Sequence, residues 1–387
     1  MIVNKSYKVR LYPNKRQEQM LVSIVGSCRY VWNHFLEQRK NYYLENKKNL
    51  PYAVMARDLT KFRKSTDWLS TVQSEPLQQS LRRLDKAYNS FFRKQNQFPR
   101  FKSKKDSKQS FQKHQDWRVL GQKIQIQKDL IVKFRGEISD KADLGTIVVS
   151  KHSTGKWFAT ITAKVEMKTP KKYTKPIGID VGLETLATLS TGKKYKNIQP
   201  QKTLQGRLTS LSRSLARKVI GSNRRERARI EVAKIYEKIR NIRQNHIHQI
   251  THNIVSKNHA TIAVEDLNVS GMMRNRHLAR SLADASMREL LRQVQYKQEW
   301  RGGKFIKIDR FFPSSKTCSS CNFVVDKLPL SVRSWKCPKC SKRHDRDFNA
   351  AKVILAQGLA HSPRGESEKV AVRRGLPVSL KRNYALA

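Results

Sequence analysis

The spacing of apolar positions along this chain changes repeatedly, and each change predicts a different kind of element. Residues 7–11 (YKVRL) alternate as a short strand that Pro13 and Asn14 stop. Apolar residues then recur at helical spacing. Met20, Leu21, Ile24 and Val25 form a stripe that ends at Gly26, and Ser27 is placed to cap a second helix carrying Tyr30, Val31, Trp32, Phe35 and Leu36. Pro51 and Trp68 bracket a third helix. Ser74, Glu75 and Pro76 open a fourth, with Leu77, Leu81, Leu84, Tyr88 and Phe91 on one face, an aromatic stripe that reads as core. Residues 98–115 are basic and weakly patterned, as a linker or a phosphate-contacting loop would be. From Trp117 the period turns to two. KIQIQ (123–127), LIVKF (130–134), TIVVS (146–150) and WFATITA (157–163), separated by Gly136, Gly145 and Gly155, predict a small antiparallel barrel or sandwich. The strand at 7–11 can join it, leaving the helices as an insertion. Residues 169–176, with Pro170 and Pro176, mark a boundary.

In the second half, Ile177, Ile179 and Val181 alternate with Gly178, Asp180 and Gly182. A strand of this kind has one apolar face and, on the other, a carboxylate between glycines. A charge there is costly unless paired or bound to metal, and the glycines predict close approach of a ligand or another backbone. Leu204, Leu208, Leu211 and Leu215 run at helical spacing to Gly221 and Ser222, and a second helix from about Asn223 carries Ile235, Ile239, Ile242, Ile250 and Ile254. TIAVEDL (261–267) is a buried strand with Glu265 on the same small-residue face as Thr261 and Ala263. A helix over 281–300 (Leu282, Met287, Leu290, Leu291, Val294) and a strand at 304–308 (KFIKI) follow. Ala350, Ala351, Ile354 and Leu355 predict a last helix that ends at Gly358, with Asp347 near its N-terminus. From 361 on the chain is polar and broken by Pro363, Gly365, Gly375 and Pro377, a disordered tail.

Charge narrows the partner. Eighty Lys and Arg against 30 Asp and Glu leave a formal charge of +50, which makes sense against a polyanion, and nucleic acid is the expected one. Since 38% of the 387 residues are hydrophobic, the mean hydropathy of −0.68 reflects surface charge rather than disorder. A chain of this length predicts two or three domains. Between residues 202 and 243 thirteen Lys or Arg face three Glu, so the helical hairpin reads as packed on one side and turned to phosphates on the other. No apolar run reaches the ~18 residues of a membrane span, and the first residues are no signal peptide, so a cytoplasmic protein is expected, nucleoid-associated when on DNA.

Four of five cysteines form two CxxC pairs, Cys318 with Cys321 and Cys337 with Cys340, fifteen residues apart. In a reducing compartment that spacing predicts a closed, structural tetrahedral zinc site. Cys28, far from them, reads as a small buried hydrophobe. Asp180, Glu265 and Asp347 come from two strands and a late helix, each beside small residues. Carboxylates so placed could hold two divalent ions, Mg2+ or Mn2+, for phosphodiester hydrolysis. No Ser-His-Asp or Cys-His set and no GxxxxGK[ST] loop competes with that chemistry. His344 and Arg346 adjoin the third acid and read as solvated loop residues.

IGIDVGL, AVEDL and DRDFNAA, with the CxxC…CxxC insert just before the third, resemble the split RuvC-like nuclease of the TnpB family, transposon-encoded RNA-guided DNA endonucleases related to type V CRISPR effectors. KVRLYPN followed by CRYVWN looks like the family's wedge strand and inserted recognition helices. The resemblance implies an α/β plus all-β fold: an RNase H-like (RuvC) nuclease domain at 175–315 and 342–358, a zinc ribbon at 316–341, a wedge β-barrel at 1–14 and 115–170, a helical recognition domain at 15–114, and a tail at 359–387. It implies catalytic acids at Asp180, Glu265 and Asp347, with Asp345 a possible substitute for Asp347 and Asp266 a bystander. It also implies a transposon-derived guide RNA, target DNA as substrate, and a short motif beside the target read by the wedge and helical domains. An unguided transposase on the same fold and a catalytically idle nucleic-acid-binding regulator are the competing readings. Oligomeric state is left open.

Overall fold

The computed structural model describes residues 1–106 and 109–360. The chain divides into two units, Met1–Lys168 with Leu204–Asn241, and Thr169–Thr203 with the chain from Ile242 onward. The first of these divisions lies between Lys168 and Thr169. Residues 204–241, expected with the 175–315 segment, instead group with the first unit. There the buried Glu237 accepts a 2.5 Å bond from Lys156.

The first unit opens with β1 (Ile2–Tyr12) and four helices, α1 (Lys15–Asn46), α2 (Tyr52–Lys64), the short α3 (Asp67–Ser70) and α4 (Ser74–Phe92). Six strands follow: β2 (Gln109–Lys113), β3 (Arg118–Leu120), β4 (Lys123–Gln127), β5 (Leu130–Arg135), β6 (Asp143–Lys151) and β7 (Trp157–Glu166). All seven strands form one antiparallel sheet, in the order β2-β6-β7-β1-β5-β4-β3. The first strand of the chain thus sits at its centre, paired with β7 from Ile2↔Glu166 to Leu11↔Trp157, and the helices are an insertion between it and the rest. Val9, Phe111, Val132 and Ile161 of the sheet share one core with Leu21, Phe35, Leu77 and Leu84 of the helices.

Two expectations fail here for identifiable reasons. Gly26 does not end a helix, and Ser27 caps nothing. α1 starts at a capping box between Asn14 and Gln17 and runs unbroken, because the stripe Leu21, Val25, Cys28, Val31, Trp32 and Phe35 is continuously buried. That burial outweighs the roughly 1 kcal/mol cost of a mid-helix glycine. β2 lies in what reads as a linker. Its inward positions are Phe111 and Lys113, and the Lys113 ammonium is buried because it donates to Gln73 Oε1 (2.7 Å), Asp116 O (2.9 Å) and Ile126 O (2.8 Å). A lysine on the core side hides the strand's period.

The second unit is built on a five-stranded sheet, ordered β10-β9-β8-β11-β12. β8 (Ile177–Asp180), β9 (Thr185–Leu189) and β10 (Lys194–Lys196) form an antiparallel meander. α5 (Pro200–Ala216) and α6 (Asn223–Val255) then lead to β11 (Thr261–Glu265), which lies parallel to β8. The helix expected over 281–300 is two helices. After α7 (Val269–Met272), α8 (Arg276–Ala285) and α9 (Met287–Glu299) are separated by Ser286 in a left-handed conformation (φ 53°). β12 (Lys304–Ile308) pairs parallel with β11, and the small hairpin β13 (Ser334–Lys336) and β14 (Arg343–Asp345) precedes α10 (Arg346–Ala360). Ile177, Ile179, Ile262 and Val264 pack on Ile247 and Ile250 of α6 and Leu290 of α9. α10 packs on β8 and β11, where Ala263, Ile308 and Ile354 form a smaller core. α10 runs past Gly358 to Ala360, so residues 359 and 360 are helical. The tail reading otherwise falls on 361–387, outside the described residues.

Candidate active site and metal centre

Asp180 ends β8 and Glu265 ends β11. The two strands run parallel with Ile262↔Ile177 and Val264↔Ile179 in register, so the next step sets Glu265 beside Asp180 at the carboxyl edge of the sheet. α10 brings the third acid by lying close on the same face. A Cβ at Gly178 would stand 2.1 Å from the Ala351 carbonyl oxygen, and one at Gly358 would stand 2.6 Å from Ala263 Cβ. The small residues of β8 and β11 therefore make room for a helix backbone, and Asp347, one turn before Ala351, comes down over the strand ends.

The electrostatics follow from that crowding. Burial pushes the Asp180 carboxyl up, the Glu265 and Asp347 charges push it further, and the result is about 7, although Arg346 and the Val181 amide oppose the rise. Burial also raises Glu265, against a hydrogen bond donated by the Ser314 hydroxyl. Part of each of the three side chains stays accessible. Three hard oxygen donors, two of which raise the carboxyl of the third, suit divalent cations, whose charge would relieve that repulsion.

The neighbouring acids are occupied otherwise. Asp266 is ion-paired with Arg310 (2.8 Å) and Lys307 (3.5 Å). Asp345 accepts from the Phe348 amide (2.9 Å) as the N-cap of α10 and pairs with Lys194 (2.7 Å). Burial would raise the Asp345 carboxyl, but these partners hold it below its ordinary value. The cap of α10 is therefore Asp345, and Asp347 does not serve as the cap but lies near enough to raise the Asp180 carboxyl. Ser314 and Arg333 were missed by sequence reasoning. Arg333 lies 3.7 Å from Asp347 Oδ1 and 2.5 Å from Glu184. Nothing in the spacing around either residue announces a site.

Among the described residues, the four cysteines bring their ligand atoms within 4.8 Å of one another. Sγ separations are 3.7 Å for Cys318–Cys340 and 3.6 Å for Cys321–Cys337. A tetrahedron with Zn–S bonds of about 2.3 Å has edges of about 3.8 Å, so the thiols could hold one zinc as they stand. His344 and Arg346 are not solvated. Both are buried: His344 Nε2 lies 3.1 Å from Cys318 Sγ, and Arg346 donates to the Pro329 carbonyl (2.7 Å). Burial lowers the His344 imidazole, followed by the Lys342 and Lys352 charges, which favours the neutral ring. Asn349 of α10 completes the joint. It is buried, donates to Thr317 O (2.7 Å) and accepts from the Ser319 amide (2.9 Å), tying the first knuckle to the helix that carries Asp347.

Three family models match this chain: one described as "Probable transposase" over residues 159–276, a Cas12f1-like TNB domain over 288–354, and a helix-turn-helix domain over 1–48. The last name does not describe the geometry, since those residues form β1, the uninterrupted α1 and the turn after it. A Streptomyces pristinaespiralis protein named as an RNA-guided DNA endonuclease is 36% identical over 371 residues, covering 94% of this chain and 92% of that protein. The RNA-guided DNA endonuclease InsQ of Escherichia coli (strain K12) is 32% identical over 382 residues, 94% of each chain. In fold the chain is similar to the protein in a cryo-EM structure of a Cas12f1–sgRNA–target DNA complex, with TM-score 0.57 at 12% identity, covering 92% of this chain and 99% of that one. With relatives at this identity over more than nine-tenths of both chains, the chain belongs to the TnpB family of transposon-encoded RNA-guided DNA endonucleases.

Proposed function

We propose that this chain cuts target DNA under the direction of a transposon-derived guide RNA, with Asp180, Glu265 and Asp347 as the catalytic metal ligands. The observation that carries this reading is geometric: parallel pairing of β8 and β11 sets Asp180 and Glu265 side by side at the strand ends, and α10, packed close on Gly178, brings Asp347 to them. The five-stranded sheet with α10 then serves as an RNase H-like (RuvC) nuclease and the seven-stranded sheet as the wedge. α1 to α4 are the recognition helices. The family resemblance and the fold likeness support that division. The names of the relatives support the guide RNA and the target DNA as partners.

Two Mg2+ or Mn2+ ions, when bound, supply hydroxide formation and stabilisation of the departing oxygen. The chain's own residues prepare that chemistry. Asp180 gives up its proton on loading, Glu265 is oriented by the Ser314 hydroxyl, and Asp345 and Asn349 hold the first turn of α10 so that Asp347 faces the strand ends. The zinc is structural, since four thiolates leave no open position. Among the described residues no helix is long and apolar enough to cross a membrane, and a nucleoid location fits a DNA-cutting chain.

The test is reconstitution. Protein carrying its co-purified RNA should cut a plasmid bearing the matching target, and RNase treatment should abolish cutting. If RNA-free protein cuts the same sites, guidance fails and the transposase reading gains. If no Mg2+ or Mn2+ concentration yields cutting despite full binding, the nuclease assignment fails.

A further inference from the structure

Where α1 and α4 end, side chains that the chemistry above does not use surround a cavity of about 300 Å³, among them Arg39, Tyr43, Leu44, Tyr88, Phe92 and Phe98. Its walls are almost wholly apolar, yet it opens to solvent. Leu44 is 65% exposed, Phe92 60% and Tyr43 55%. A folded chain loses stability by leaving large apolar groups in water around a hollow, and a run of them on a strongly charged protein marks a binding surface.

The walls are braced rather than mobile. Tyr88 and Phe91 each meet Phe98 edge to face, at 5.4 and 5.3 Å. The Arg39 guanidinium lies 4.0 Å over the Tyr88 ring while donating to Asn49 (2.8 Å) and Asp85 (3.1 Å). One polar atom is unaccounted for. The Tyr88 hydroxyl, on a residue only 5% exposed, is buried with no hydrogen-bond partner. Such a group costs stability unless something completes it.

The flanking charge says what that something is. Residues 93–105 carry no acid and five exposed Lys or Arg (Arg93, Lys94, Arg100, Lys104, Lys105), while the Lys102 ammonium lies instead over the Trp32 ring. An aromatic cleft with one unsatisfied hydroxyl, beside a cationic segment that would follow a phosphate backbone, matches a splayed-out base. We propose that this cavity binds an unpaired nucleobase, stacked against Phe92 and Phe98 and hydrogen-bonded to the Tyr88 hydroxyl, with the 93–105 segment on the adjoining phosphates. The inference rests on the nucleic-acid reading above for the class of its ligand alone. A base that remains stacked and paired within a duplex would not enter it.

The experiment uses the full-length, zinc-loaded chain freed of co-purified RNA, without added divalent cations so that nothing is cut. Fluorescein-labelled single strands of about 12 nucleotides are titrated as ribo, deoxy and abasic versions, and a 2-aminopurine strand reports stacking. The wild-type chain should bind base-bearing strands more tightly than the abasic one and quench 2-aminopurine. Phe92→Ala, at an exposed position, should weaken base-bearing strands roughly tenfold, abolish the quench and leave abasic binding unchanged. Tyr88→Phe should weaken base-bearing strands a few-fold while the melting temperature holds or rises. A larger loss on the ribo strand assigns the base to the guide RNA, and a larger loss on the deoxy strand assigns it to the DNA. Equal binding of abasic and base-bearing strands, or an unchanged affinity in Phe92→Ala, overturns the proposal. Neither result touches the nuclease assignment, which the Asp180 variants test separately.

Discussion

The thiol cluster and the carboxylate cluster, both in the second unit and joined through α10, are built on opposite physical principles. Four soft sulfur atoms sit at the edge lengths of a zinc tetrahedron, with His344 against Cys318. Both knuckles are short and local, so the centre stabilises the segment that contains it. The three carboxylates come from separate elements, and burial together with the Glu265 and Asp347 charges pushes the Asp180 carboxyl up to about 7. One centre is closed and holds structure together. The other is partly open and held under electrostatic stress that the surrounding fold sustains.

Breaking the stressed centre should have the largest effect. Asp180→Ala is expected to lower cleavage by roughly a thousandfold or more while leaving nucleic-acid binding intact or tighter. A plasmid cleavage assay beside a gel-shift titration checks both halves, and retained cutting would mean that other acids do the work. Next comes the closed centre. Cys337→Ser should lose its zinc by elemental analysis, melt several degrees lower, and lose most cleavage because the segment presenting Asp347 loosens. Unchanged zinc content would remove the four-thiolate assignment.

The joint between the centres should show a smaller effect. Asn349→Ala removes the bonds to Thr317 and Ser319. It should keep its zinc, yet cut roughly tenfold more slowly, with the loss partly recovered at high Mn2+. Loss of zinc together with activity would make Asn349 part of the ribbon's stability alone.

Two pH effects sharpen the comparison further. The metal-free Asp180 is protonated below about 7, and binding must release that proton. Mn2+ affinity measured by calorimetry should therefore rise with pH, at most about tenfold per unit, and flatten above about 7. The same raised value makes the folded, metal-free chain bind more protons than the unfolded chain between 3.8 and about 7, so this group costs stability as pH climbs through that window. Asp180→Asn should accordingly raise the metal-free melting temperature by a few degrees at about pH 8 and lose that advantage near pH 4. A variant less stable than wild type at both values would contradict the electrostatic account.

The amino-acid sequence by itself determined whatever depends on short-range pattern. The CxxC pairs announce a four-thiol cluster because each pair is set by its own tight turn, and the four sulfurs do converge. The strands 123–127, 130–134 and 157–163 declare themselves by alternation. What only the tertiary structure decided depended on partners far off in the chain. Gly26 sits mid-helix because α4 and the sheet bury its neighbours. Lys113 belongs to a strand because Gln73 and the Asp116 and Ile126 carbonyls take its charge. Asp345 caps α10 while Asp347 lies near Asp180, because Gly178 and Gly358 let the helix backbone settle on β8 and β11. A residue's role there is set by the free energy of contacts that no local window contains, and the strained carboxylates exist only once the fold has brought them together.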